Sequence, residues 1–170
     1  RAIMGGDGEL LIAGGVESMT RAPFVMAKSS GAWNRTPEVY DSTIGWRFPN
    51  KRLVEMYYPF NMGETAENVA KQWNISRHAQ DEFALQSQEK YFAALDKQKW
   101  SDEIAPVEIL TSKEETIYFD KDEQPRRSSL EKLAGLRPAF IKEGTVTAGN
   151  SSGINDGAAA MLLASEAAVK

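Results

Sequence analysis

Few residue types in this chain could carry covalent or metal chemistry. Cysteine is absent and His78 is the only histidine. That excludes disulfides, thiolate ligands and a cysteine nucleophile within these residues, and it excludes a multi-histidine metal centre. His78 stands in the first turn of a polar helix start, SRHAQDE, where a surface imidazole is the plain reading. A general base there needs a partner that the sequence does not display. The 24 Asp and Glu residues are scattered, and no pair has a spacing that compels acid–base work. They read as solvated surface. No catalytic residue and no metal ligand is assigned.

Other features suit binding. Arg126 and Arg127 lie in a charged loop, DEQPRRSSLE. They are either solvated, or one guanidinium meets a phosphate through its fork of donors. Met62 precedes a helix, where it either fills a core or lines a pocket for a flexible acyl chain. The stretch GTVTAGNSSGINDGAAAMLL, 144–163, loses nearly all bulk between Ala148 and Gly157, with Ile154 the exception. Glycines let another group approach the main chain closely, so small residues with free N–H and C=O groups can grip a narrow amide-bearing ligand. A tight turn accounts for the same residues. Neither the P-loop pattern nor the dinucleotide fingerprint is present.

The elements that must position these residues can be read from periodicity. Arg1–Gly6 reads as a helix end closed by glycine. Glu9–Ala13 is a short apolar run, ended by Gly14–Gly15, and Ala158–Ala164 is a second. Both are of strand length; the second suggests a strand covered on both faces, in the same sheet as the first. The long excursion between them, 21–143, needs structure of its own. Glu64–Trp73 has helical spacing, and Ser76 is a candidate N-cap for a helix to Lys97. The inner stripe of that helix is expected at Ala79, Phe83, Tyr91 and Leu95, with charged residues outside. Ile104–Leu110 and Thr116–Phe119 read as strands, Ser129–Gly135 as a short helix, and 28–50 as a packed surface loop.

Composition sets the outer bounds. A net charge of −4 argues against nucleic acid or an anionic membrane as main partner. The longest apolar run, Ala158–Ala164, falls far short of the ~18 residues of a membrane span. RAIMGGDGELL lacks the basic region and apolar core of a signal peptide, so a cytoplasmic location is expected.

Several long motifs agree, in order and spacing, with one family. AGGVESMTRAPF (13–24), NMGETAENVAKQW (61–73), SRHAQDEFALQSQ (76–88), LRPAF (136–140) and the 144–163 stretch resemble the thiolases, the acyl-CoA acetyltransferases. The resemblance covers essentially the whole chain. It implies an α/β fold in which two strands of the N-terminal-half sheet flank an inserted α+β loop domain. Residues 1–20 and 144–170 would belong to the N-terminal half, and 21–143 would be the loop domain that holds coenzyme A. By matching position, Asn61, Met62, Phe140, Ala148 and Ser152 would line the pantetheine and acyl tunnel. Arg126 would lie near the adenine nucleotide end, with Arg127 as a substitute.

The resemblance also implies a reaction, thiolysis of a 3-ketoacyl-CoA by coenzyme A or its reverse. A Cys thiolate takes the acyl group, a second Cys moves protons, and oxyanions are stabilised by hydrogen-bond donors. The family's cysteine, NEAF and GHP loops have no counterpart among these residues, so the chain alone is expected to be inactive. Coenzyme A enters as substrate, with no covalently held cofactor, and the family's habit implies a homo-oligomer, dimer or tetramer. Short-chain acetoacetyl-CoA thiolases often carry His where this chain has Asn61. DSTIGWRF (41–48) looks like the segment of thiolases that cleave 3-oxoadipyl-CoA; an acetoacetyl-CoA thiolase is the alternative within the family. Outside catalysis, the alternatives are a non-catalytic CoA-binding module and an assembly piece, for which Trp33, Tyr40 and Trp46 supply interface aromatics.

Overall fold

The structure is a computed structural model that describes residues 1–170. In chain order its first elements are α1 (Ala2–Gly5), β1 (Leu10–Glu17), β2 (Phe24–Met26), β3 (Val39–Asp41) and α2 (Lys51–Met56). There follow α3 (Met62–Gln72), α4 (Arg77–Asp96), β4 (Val107–Leu110), β5 (Thr116–Phe119), α5 (Leu130–Ala134), β6 (Gly157–Ala164) and α6 (Glu166–Val169). No helix is long and apolar enough to cross a membrane.

The chain forms two compact units, Arg1–Pro59 with Ile154–Lys170, and Phe60–Gly153. The divisions fall at 59/60 and 153/154, where the sequence reading placed its boundaries at 20/21 and 143/144.

In the first unit, β1 and β6 pair antiparallel from Leu10↔Ala164 to Glu17↔Gly157. The expectation that the two apolar runs share a sheet is met. β1 does not stop at Gly14–Gly15, however; it runs through both glycines to Glu17. Gly14 sits so close to β6 that a Cβ there would lie 2.7 Å from the Ala159 carbonyl oxygen, so the glycine serves close strand packing instead of ending the strand. β6 was expected to be covered on both faces. Every residue of β1 and β6 is instead exposed within this chain, Ile12, Val16 and Leu162 prominently so. The hinge into the pair is fixed by Asp156, whose carboxylate accepts from the Thr20 N–H at 2.8 Å and the Thr20 hydroxyl at 2.7 Å. Those bonds hold the Asp156 carboxyl below its ordinary range. Gly6 closes α1 in the left-handed conformation, at φ 82°, as glycine permits. Of residues 28–50, β3 pairs antiparallel with β2 just before them, and Trp33 is almost fully exposed.

The second unit is built around α3 and α4. Asn61 starts α3, donating its N–H to the Glu64 side chain at 3.0 Å. Ser76 caps α4, its hydroxyl oxygen accepting from the Ala79 N–H. Ser129 does the same for α5 through Lys132. β4 and β5 form a hairpin. The apolar core is small, consisting of Ala70, Leu133 and Val146.

The inward face of α4 differs from the expected stripe. Phe83 is 76% exposed, and Ala79 and Leu95 are exposed too. The face turned inward runs through Arg77, Gln80, Asp81, Ala84, Gln88 and Tyr91, with Asp81 only 2% exposed. Apolar spacing misleads here because this helix turns hydrogen-bonding side chains toward the segments packed on it.

Candidate functional site

Two carboxylates that read as surface are buried and organise the 144–150 segment. Glu67 lies on the same face of α3 as Gly63 and Ala70, and it is 6% exposed. Its Oε1 accepts from the N–H groups of Thr145 and Val146, both at 2.8 Å. Its Oε2 accepts from the Thr145 N–H at 2.9 Å and the Thr145 hydroxyl at 2.8 Å. Burial pushes the Glu67 pKa up, but these donors and the charge of Arg77 outweigh it and hold the carboxyl below its ordinary range. With both oxygens occupied by donors from 145–146, Glu67 anchors the segment instead of serving as a base.

Asp81 performs the matching task from α4. Its Oδ2 accepts from Arg77 Nε at 2.8 Å, and its Oδ1 accepts from Asn150 Nδ2 at 3.0 Å. Arg77 also donates to the carbonyls of Leu133 and Leu136, at 2.5 Å and 3.1 Å, which ties in the end of α5. Asn150 then closes the turn: Nδ2 donates to the Thr145 carbonyl at 3.0 Å, and Oδ1 accepts from the Thr147 N–H at 2.7 Å. Gln80 adds a bond to the Thr145 hydroxyl at 3.0 Å. Every buried side-chain polar atom has a partner.

This geometry explains most of the lost bulk in 144–153. A Cβ on Gly144 would overlap the Glu67 carboxylate, and one on Gly149 would run into Leu133 and Leu136. Thr147 is fully buried. Gly144 and Gly149 are therefore small for the turn's own sake. Ala148 and Ser151–Gly153 have no such internal reason, and they are exposed.

The other sequence-proposed residues gather partly around this turn. An antiparallel bridge joins Pro138 to Thr147, and the Ala139 N–H donates to the Val146 carbonyl at 2.9 Å. Phe140 is thereby held beside the segment that carries Ala148. Its ring fills the space where a Cβ on Gly63 would stand, so Gly63 brings the start of α3, with Asn61 and Met62, against Phe140. Met62 is 82% exposed and Phe140 42%. Ser152 stands exposed two residues beyond Asn150. Arg126, in the loop between β5 and α5, is held against another part of α4: its backbone N–H donates to Gln88 Oε1 at 2.8 Å, seven residues along the helix from Asp81, or ~10 Å at the helical rise. Its side chain is exposed, whereas Arg127 stacks over the Phe92 ring at 4.1 Å and lies 3.8 Å from Asp96. His78 is an exposed side chain 3.4 Å from Glu82.

Sequence reading missed Glu67, Asp81 and Asn150. Spacing held a signal for the first, since Gly63, Glu67 and Ala70 share one helical face with the smallest residues of α3. Arg77 and Asp81, four apart, were a second signal.

Comparison with known proteins bears on the family of the chain. A profile described as "Thiolase, N-terminal domain" matches residues 1–167. The chain is 54% identical over 170 residues to a beta-ketoadipyl-CoA thiolase of Acinetobacter baylyi, covering 99% of this chain and 42% of that protein. It is 50% identical over 167 residues to the 3-oxoadipyl-CoA/3-oxo-5,6-dehydrosuberyl-CoA thiolase of Escherichia coli, covering 98% of this chain and 42% of that one. Among solved structures, human mitochondrial 3-ketoacyl-CoA thiolase in complex with CoA superposes with a TM-score of 0.78 at 38% identity, covering 99% of this chain and 40% of that chain. The chain thus spans about 42% of the length of the curated relatives it matches. By motif, profile and fold alike, it belongs to the thiolase family.

Proposed function

We propose that this chain is the coenzyme-A-holding section of a longer thiolase, one that cleaves or forms a 3-oxoacyl-CoA with 3-oxoadipyl-CoA as its acyl substrate. The observation that carries the reading is the 145–150 turn, clamped by Glu67 and Asp81 and bridged to the segment before Phe140, which leaves Ala148 and Ser151–Gly153 small and uncovered. A fixed run of exposed backbone beside an aromatic ring suits a narrow pantetheine arm, because the ligand meets donors and acceptors already in place. On this reading Asn61, Met62, Phe140, Ala148 and Ser152 line the tunnel. Arg126, exposed and outside the ion pairs of the structure, meets phosphate more readily than Arg127, which is engaged with Phe92 and Asp96.

The acyl class follows from the relatives at 54% and 50% identity, both named for 3-oxoadipyl-CoA. The acetoacetyl-CoA alternative gains no support from them. The reaction needs a thiolate that these cysteine-free residues do not supply, so the chain alone binds without turning over. The uncovered apolar faces of β1 and β6 fit a sheet completed by the remainder of the longer protein. Loop-domain assignment of 21–143, assembly into a homo-oligomer and cytoplasmic residence belong to the same reading. Exposed Trp33 and Trp46 suit assembly, which light scattering of the full-length protein reads directly.

The test is CoA-dependent cleavage of 3-oxoadipyl-CoA by the full-length protein, beside Ser152→Trp. Turnover in the parent, with KM for CoA raised about tenfold or more in the variant, is the expected result. An inactive full-length protein, or an unchanged KM, refutes the reading.

A further inference from the structure

Within the Phe60–Gly153 unit, α4 carries three side chains spaced four residues apart, Gln88, Phe92 and Asp96. That spacing sets them one above another on a single face, over about two turns or ~12 Å. The dipeptide Arg126–Arg127, from the loop between β5 and α5, lies along this stripe. Gln88 Oε1 accepts from the Arg126 backbone N–H at 2.8 Å. One turn further on, the Arg127 guanidinium stands over the Phe92 ring, 4.1 Å from its centroid, and its Nη2 lies 3.8 Å from Asp96 Oδ1.

The ring under Arg127 is braced in turn. Tyr91 meets Phe92 edge-on, with centroids 5.3 Å apart, and stacks on Trp100, beyond the end of α4, at 4.8 Å and 24°. Gln88, Phe92 and Trp100 are half-buried.

Two adjacent arginines therefore stand in different situations. The cation of Arg127 is engaged by a ring and a carboxylate. Arg126 has its main chain fastened, while its guanidinium is exposed and in none of the ion pairs. A long side chain that meets an anion loses freedom in doing so, and a fixed point of departure lowers that cost. The Arg127–Asp96 pair is exposed on both sides and adds little to stability by itself. Its effect is on where the loop lies.

We propose that Gln88 and Phe92 are positioning residues for Arg126. They fasten the chain before and after its Cα, so that the Arg126 guanidinium is held out to a phosphate of coenzyme A while Arg127 serves as the fastener. The proposal rests on the phosphate contact proposed above for Arg126 and adds what keeps that contact in place.

The test uses the full-length protein with two thiol acceptors, CoA and pantetheine, which keeps the thiol arm and lacks every phosphate. The readout is the preference for CoA, the ratio of the two kcat/KM values. A merely structural role lowers both values together and leaves the ratio alone. Arg126→Ala should lower the preference by about tenfold or more, the range of a hydrogen bond to a charged group. Gln88→Ala and Phe92→Ala should each lower it by about 3- to 10-fold, and Phe92→Tyr, which keeps the ring, should retain it. Gln88→Ala leaves the ring packing in place and carries the test alone if Phe92→Ala does not fold. In the Arg126→Ala background neither change should lower the preference further, because both act through Arg126. A preference untouched by Gln88→Ala, or lowered just as much when Arg126 is already alanine, overturns the inference. In that case a loss of preference in Arg126→Ala leaves the phosphate contact standing. Parent-like preference in Arg126→Ala removes the contact and the inference together.

Discussion

Glu67 on α3 and Thr145, far along the chain, are joined by three hydrogen bonds: the Thr145 N–H reaches both carboxylate oxygens and its hydroxyl reaches Oε2. The Val146 N–H adds a fourth to Oε1. The segment that follows is thereby set against the helix before any ligand arrives. Removing the carboxylate leaves buried donors without an acceptor, a loss of about 1–3 kcal/mol for each. Glu67→Ala should therefore speed amide exchange in 144–150 by about 100-fold or more, and Glu67→Gln, which retains one acceptor oxygen, by less. Exchange rates in that peptide unchanged by Glu67→Ala would remove the clamp.

The same carboxylate makes the turn acid-sensitive. Its folded-state pKa lies below the unfolded-state value. Its contribution is present in full above the ordinary glutamate pKa of about 4.3 and is lost as pH falls through the lower folded value. Between pH 6 and pH 3, as a rough span around that value, protection of 144–150 should fall more steeply in the parent than in Glu67→Gln. Parallel pH dependences would mean that another group governs the acid response.

Asn150 is needed as an amide. Its Nδ2 faces Asp81 and the Thr145 carbonyl, while its Oδ1 faces the Thr147 N–H. Asn150→Asp places a second carboxylate against buried Asp81 and replaces the only donor between them. It should destabilise the unit by about 2–3 kcal/mol at neutral pH, more than Asn150→Ala does, because like charges meet with little water between them. Urea denaturation followed through Trp fluorescence ranks the two; the reverse order counts against the assigned orientation of Asn150.

Gly63 tests the contact between α3 and Phe140. A Cβ there overlaps the ring, so Gly63→Ala must displace Phe140. Overpacking of this kind costs about 1–3 kcal/mol. Gly63→Ala should also raise KM for CoA, and pairing it with Phe140→Ala should recover stability but not CoA affinity. Additive losses of stability in the double variant would show that the two positions do not touch.

Local chemistry made much of this structure legible. Ser76 and Ser129 cap the helices they precede, and Gly6 closes α1. β4, β5 and the β1–β6 pairing follow from short apolar runs. Apolar periodicity failed on α4, where Phe83 faces outward and Asp81 inward, because hydropathy reports burial only where the buried face is apolar. The candidate site was half legible for a related reason. Phe140, Ala148 and Ser152 were proposed through a family resemblance and the loss of bulk. Glu67 and Asp81 were not: the face shared by Gly63, Glu67 and Ala70 and the Arg77–Asp81 spacing pointed to them, but the partners that satisfy the buried carboxylates lie about 70 residues away.

The most direct measurement is hydrogen–deuterium exchange of the full-length protein with and without CoA, read on peptides covering 136–153. Slower exchange at Ala148–Gly153 and around Phe140 on adding CoA is the expected result, with 144–147 already protected in its absence. Protection that appears only outside 136–153 would contradict the assignment of this clamped turn as the coenzyme's cradle.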